Sequence, residues 1–121
     1  MKVLLINPPG WVGDRIPLGY DLVPSVPLGL GYLASTMESE GITAKIVDMD
    51  WGGFSKEELV DMISKFDPDI IGITSFTSNY ANAVDIAKAA KSHNPNIKIV
   101  FGGVHATFIH RDVLHTIPEV D

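Results

Sequence analysis

The sequence predicts an α/β domain built on a doubly wound parallel sheet. Three observations carry that expectation. Short apolar runs alternate with longer amphipathic stretches along the whole chain, the signature of strands separated by crossover helices. The run Asp69–Thr74 (DIIGIT) is apolar nearly throughout, as in a strand covered on both faces. The length of 121 residues suits one domain, and a chain of that size hides about two-thirds of its unfolded surface when it folds.

Lys2–Asn7 (KVLLIN) is the first buried strand, closed by Pro8, Pro9 and Gly10. Residues 8–26 read as a long loop carrying Gly13, Pro17, Gly19 and Pro24; a structureless stretch of that length is a functional or mobile feature. Pro27 suits a first helical turn, and Leu28–Glu40 reads as helix stopped by Gly41. Thr43–Asp48 is the second strand and Met49–Phe54 a loop. Ser55 with Glu58 forms a capping box, behind which Leu59, Met62, Ile63 and Phe66 recur at helical spacing. Asp67-Pro68 ends that helix, because the residue before proline is pushed out of the α region. Asp69–Thr74 is the third strand and Ser75–Asn79 a polar loop. Tyr80, Ala83, Val84, Ala87 and Ala90 mark one stripe of a helix ending near Asn94-Pro95. Ile97–Phe101 is the fourth strand, Gly102-Gly103 a sharp turn, and Thr107–Thr116 a last short helix.

Right-handed crossovers between such elements give a parallel sheet with helices on both faces. The flavodoxin-like arrangement follows, with strand order 2-1-3-4 and a possible fifth. The sequence closes on Pro118-Glu119-Val120-Asp121, where that fifth strand is due. The expectation is a single unit over 1–121, a fragment of a longer protein or one whose fourth-strand edge another chain covers. An open edge also invites self-association.

Composition narrows the function. Nine Lys and Arg against fifteen Asp and Glu give a formal charge of −6, which argues against a nucleic-acid surface. No apolar run approaches the ~20 residues that span a bilayer, and no signal peptide precedes the first strand, so a cytoplasmic protein is expected. Cysteine is absent, which removes disulfides, thiolate nucleophiles and Cys-ligated zinc or iron–sulfur clusters from these residues. Chemistry is expected to come from a bound cofactor, a partner or residues beyond Asp121, and no catalytic residue is assigned within the chain.

In open α/β sheets ligands bind beyond the carboxyl ends of the strands. Four loops occupy that edge: Asn7–Val26, Asp48–Phe54, Ser75–Asn79 and Gly102–Ala106. Ser78 or Asn79 is expected to cap the following helix, which leaves Ser75 and Thr77 as candidate ligand contacts. Gly102-Gly103 either makes a tight turn or admits a ligand close to the backbone. Asp48 and Asp50 are candidates for divalent-metal or acid–base work, or for local ordering of their own loop. His105, His110 and His115 are five residues apart, so on a helix their side chains point about 140° from one another and make no metal site. His105, in a loop, stands apart from the other two. Trp11 and Trp51 are loop indoles suited to a flat ligand or a partner domain, and Tyr32 reads as core. A flavodoxin phosphate loop, an acidic phosphoacceptor pocket and a G-x-G-x-x-G turn are all missing after the first strand.

The segments KVLLINPPG (Lys2–Gly10), PLGLGYLA (Pro27–Ala34), IVD (Ile46–Asp48), PDIIGITS (Pro68–Ser75) and VFGGVHAT (Val100–Thr107) together resemble the cobalamin-binding domain that precedes the catalytic domain of B12-dependent radical S-adenosylmethionine enzymes. The resemblance covers essentially the whole chain, in order and spacing. It implies that Ser75, Thr77 and Ser78 lie along the cofactor's nucleotide tail and that Gly102 and Gly103 let that tail pass close to the backbone. His105 matches the GGxHAT segment. Asn7, Pro8 and Pro9 match the loop beside the corrin, and Leu28, Gly29 and Gly31 match the start of the first helix near it. The D-x-H-x-x-G motif that supplies a histidine to cobalt is absent, and so is the C-x-x-x-C-x-x-C cluster motif. The resemblance therefore implies a corrinoid-binding module whose iron–sulfur cluster and S-adenosylmethionine belong to a separate radical catalytic domain, which carries out methyl transfer or related chemistry. The other expectation is a degenerate scaffold of the same fold that no longer binds cobalamin.

Overall fold

The computed structural model describes residues 1–10, 26–52 and 54–121, with the side chains of 51 and 52 left aside. Four parallel strands, β1 (Lys2–Asn7), β2 (Thr43–Asp48), β3 (Ile70–Thr74) and β4 (Lys98–Gly102), form one sheet in the order β2-β1-β3-β4. The helices are α1 (Leu28–Ser39), the short α2 (Met49–Gly52), α3 (Lys56–Phe66), α4 (Tyr80–His93) and α5 (Gly103–Thr116). The flavodoxin-like order expected from the sequence is the order observed.

Side chains alternate across each strand, and the two faces of the sheet are buried very unequally. Leu4, Ile6, Ile71, Ile73 and Ile99 point toward Leu59 and Ile63 of α3 and Ala83, Ile86, Ala87 and Ala90 of α4. Among the described residues, the opposite face buries Val3 and Leu5 beneath Leu30 and Ala34 of α1. Ile86 joins the α4 stripe, whereas Val84, expected in it, is only half-buried.

Local chemistry explains the element ends. The Ser55 hydroxyl accepts from the Glu58 N–H at 3.1 Å while the Glu58 carboxylate accepts from the Ser55 N–H at 2.8 Å, so the capping box at α3 is complete. Asp67 closes α3 in the left-handed region, φ 50°, outside the right-handed α region that the following proline disfavours. Three expectations need correction. Met49–Gly52, expected in a loop, is the short helix α2. Tyr32 is not core: it is 77% exposed, because α1 buries Leu30 and Ala34, and a residue two positions from Leu30 turns about 200° away. The last helix begins at Gly103 and not at Thr107, since the left-handed φ of +84° at Gly103 lets the chain turn straight from β4 into helix.

The outer edge of β4 is met by the residues that follow α5. The Asp121 N–H donates to the Ile99 carbonyl at 2.9 Å, and its carboxylate accepts from the Ile99 N–H at 3.0 Å. Asp69 makes the same pair of bonds to Lys2 at the foot of β1. Lys91 and Lys98 both reach the Asp121 carboxylate at 2.8 Å. No helix among the described residues is long and apolar enough to cross a membrane.

The two lysines and the Ile99 N–H hold the Asp121 carboxyl far below its ordinary value of 3.8. A depressed carboxyl stabilises the fold above its unfolded pKa and loses that contribution as pH falls through the folded value. D121N is therefore expected to unfold more easily than the wild type at pH 6, with the gap narrowing steadily below pH ~4. Denaturant melts at a series of pH values measure it, and a gap independent of pH contradicts it.

Candidate functional site

The carboxyl ends of the strands bring together Asn7, Asp48, Thr74 and Gly102, with Asn7 in register with Asp48 and Thr74 with Gly102. Asp48 Oδ1 accepts from the Asn7 side-chain amide at 2.9 Å and from the Asp50 N–H at 3.1 Å. Its carboxylate ties the first turn of α2 to the end of β1, and no group of three or more metal-ligating side chains occurs among the described residues.

The loops after β3 and β4 are tied to each other. Ser75 is fully buried; its N–H and its hydroxyl both donate to the Gly102 carbonyl at 2.9 Å, and its own carbonyl accepts from the His105 N–H at 3.1 Å. A buried hydroxyl needs such a partner, so this side chain serves the architecture of the edge. Thr77 Oγ1 lies 3.1 Å from His105 Nδ1, and the His105 ring rests on Tyr80 with centroids 4.4 Å apart. Neither Ser78 nor Asn79 provides the expected side-chain cap: Asn79 occupies the N-cap position of α4, but its Oδ1 turns back to accept from the Phe76 N–H at 2.7 Å.

The two glycines of the β4 turn differ. A Cβ at Gly103 would lie 2.6 Å from the Ser75 carbonyl oxygen and 2.8 Å from its nitrogen, on a backbone at φ +84°. Gly103 is required by the protein's own packing. Gly102 has an ordinary extended backbone, φ −124°, and a Cβ there meets nothing within 4 Å.

That open space belongs to a groove of about 780 Å³ along the sparsely covered face of the sheet. Leu33 and Met37 of α1 form one wall, and Val3, Leu5, Ile70, Gly72 and Val100 form the floor and the far wall. Asn7, Thr74, Ser78, Gly102 and Gly103 surround its carboxyl end. Among the residues proposed from sequence, Asn7, Pro8, Leu28, Gly29, Ser78, Gly102 and Gly103 line the groove. Pro9, Gly31, Ser75, Thr77 and His105 are not among its lining residues; Ser75 and His105 stand behind its glycine turn through the bonds above. Trp11 and the remainder of the loop over 11–25, and the Trp51 side chain, lie outside the described residues.

Sequence reading missed Gly72. It sits mid-strand in β3 between Leu5 and Val100 in register, where a side chain would fill the middle of the trough. A Cβ there would come 2.9 Å from Leu5 Cδ2. The signal was present, since a glycine inside an apolar strand marks a close approach by a ligand or another backbone.

A family model described as the B12 binding domain matches residues 20–121. The chain belongs to the B12-binding domain family. An uncharacterised methyltransferase of Pyrococcus horikoshii is 38% identical over the whole domain, which spans 26% of that relative. An anaerobic magnesium-protoporphyrin IX monomethyl ester cyclase of Rubrivivax gelatinosus is 32% identical, again over the whole domain and 21% of the relative. Among solved structures, the cobalamin-dependent S-adenosylmethionine radical enzyme OxsB superposes with a TM-score of 0.75 at 20% identity, covering 98% of the domain and 16% of that chain. That likeness establishes the shared fold. The domain thus spans about a quarter or less of the length of these proteins.

Gly103→Ala is expected to lower the midpoint of thermal unfolding by roughly 10 °C, from backbone strain and overlap with Ser75. Gly102→Ala is expected to leave it within about 2 °C, because the added methyl meets open space. Calorimetry of both variants decides, and equal losses contradict the distinction.

Proposed function

We propose that the domain binds cobalamin, with the cofactor's nucleotide tail in the groove between α1 and the open face of the sheet and the corrin over the carboxyl edge. The observation that carries this reading is the groove itself, an apolar trough with a side-chain-free floor at Gly72 and an unobstructed exit at Gly102, in a member of the B12-binding family. The residues fit the group. An apolar trough suits a flat aromatic base, and the polar atoms of Asn7, Thr74 and Ser78 at its mouth suit ribose and phosphate oxygens.

Bound cobalamin supplies a cobalt centre able to carry a transferable group such as methyl. The domain's own residues orient and shield. Leu33 and Val100 wall off water from the tail, Gly72 and Gly102 leave it room, and Asn7 with Pro8 and Pro9 borders the corrin. Leu28, Gly29 and Gly31 form the α1 side of the entrance. Ser75, Thr77 and His105 hold the β3 and β4 loops at the spacing that the tail requires.

We further propose that these residues are the cofactor module of a larger radical S-adenosylmethionine enzyme that transfers methyl or performs related radical chemistry. The named functions and greater lengths of the relatives support this reading. The absence of cysteine puts any cluster ligands outside these 121 residues.

Titration with hydroxocobalamin, followed by gel filtration and visible spectroscopy, tests the binding reading. The wild-type chain is expected to retain one corrinoid. Gly102→Leu is expected to remain folded, with binding weakened by at least about 100-fold, because the side chain occupies the exit of the trough. Equal retention by the two proteins contradicts the proposed path of the tail. A folded wild type that retains nothing favours the scaffold reading.

A further inference from the structure

The turn that leaves β1 is held by side chains from both neighbouring connections. Pro8 and Pro9 have no N–H, so the Gly10 N–H is the only backbone donor between residues 8 and 10. Asp50 Oδ1, on α2, accepts from it at 2.7 Å. On the other side the Asn82 side-chain amide, in the first turn of α4, donates to the Pro9 carbonyl at 2.9 Å. β1 lies between β2 and β3 in the sheet. The connection after β2 therefore grips the turn at Gly10, and the connection after β3 grips it at Pro9. Pro8 between β1 and these anchors is fully buried.

From this geometry we infer that Asp50 and Asn82 are positioning residues for cobalamin. Their bonds go to the turn: Asn82 does not line the groove, and Asp50, which also borders it, is turned onto the Gly10 N–H; together they hold Asn7-Pro8-Pro9 in its bound shape before the corrin arrives. This inference rests on the proposal that cobalamin lies over this edge. Two prolines fix much of the turn's backbone already, and the two side-chain bonds fix its orientation against the sheet. Without them the turn must be ordered at the moment of binding, and that ordering weakens affinity. Neither residue stands out in the sequence as a cofactor contact, because each acts on backbone atoms about 40 and 73 positions away.

The test compares hydroxocobalamin dissociation constants for the wild type, D50A, D50N and N82A, with Gly10 amide exchange followed by NMR in the cofactor-free chain. D50A and N82A are each expected to bind about five- to tenfold more weakly, the equivalent of one lost hydrogen bond. D50N keeps an acceptor oxygen toward Gly10 and is expected to bind within about twofold of wild type and to keep the Gly10 amide protected, whereas D50A exposes it to exchange. The double variant D50A/N82A is expected to lose less than the product of the single losses, since both residues pin one turn. Wild-type affinity in both D50A and N82A overturns the positioning role while leaving cobalamin binding intact. A folded wild type that binds no cobalamin overturns the binding proposal, and the positioning role falls with it.

Discussion

A parallel sheet presents apolar side chains on both faces, and its crossover helices normally cover both. In this domain the connections carrying α3 and α4 take the chain from β2 across to β4, and α5 follows β4. The buried core on one side, from Leu4 and Ile6 to Ile99, is large enough to hold the sheet. The connection through α1 turns back from β1 to β2, and among the described residues the other side is covered by α1, with a trough beside it over β3 and β4. The functional reading depends on that imbalance. The fold is secured from one side, and the other keeps room for a long, partly apolar ligand.

The carboxyl edge shows a matching division between groups that serve the protein and groups left for a ligand. Ser75 spends its N–H and hydroxyl on Gly102, Asp48 is committed to Asn7 and Asp50, and Gly103 is pressed against Ser75. The Ser75 contacts tie the connections after β3 and β4 to each other, and the Asn7–Asp48 bond ties the end of β1 to that of β2. What they leave unobstructed is the exit at Gly102, with the floor at Gly72 behind it. A preformed slot of this kind binds without first having to order its walls.

The order of elements, the parallel pairing and the strand sequence 2-1-3-4 were all legible, because they follow from apolar periodicity and the handedness of crossovers. The strand ends fall within a residue of expectation, at Ile70 for β3 and Lys98 for β4. The helical details were less legible where packing overrode local signals. The glycine pair reads as a break, yet Gly103 starts α5. Tyr32 sits in an apolar helix that buries a narrow stripe and leaves the ring outside. The capping expectation failed because Asn79 finds a better partner in the Phe76 N–H. Seven of the residues proposed from sequence line the groove. Its floor carried no signal that was used. Gly72 and Val100 look like ordinary strand residues until the register sets them side by side along the groove. The roles of Asp50 and Asn82 were equally hidden, because they depend on contacts between connections that only the folded sheet brings together.

The central claim is that the open face of the sheet, and not the α3–α4 face, receives the cofactor. The most direct measurement is an NMR map of backbone amide shifts on adding hydroxocobalamin to the isotopically labelled chain. The account predicts changes concentrated at Leu5, Leu33, Gly72, Val100 and Gly102, with Leu59, Ile63, Ala87 and Ala90 unmoved. Changes confined to α3 and α4, or spread evenly over both faces, contradict it.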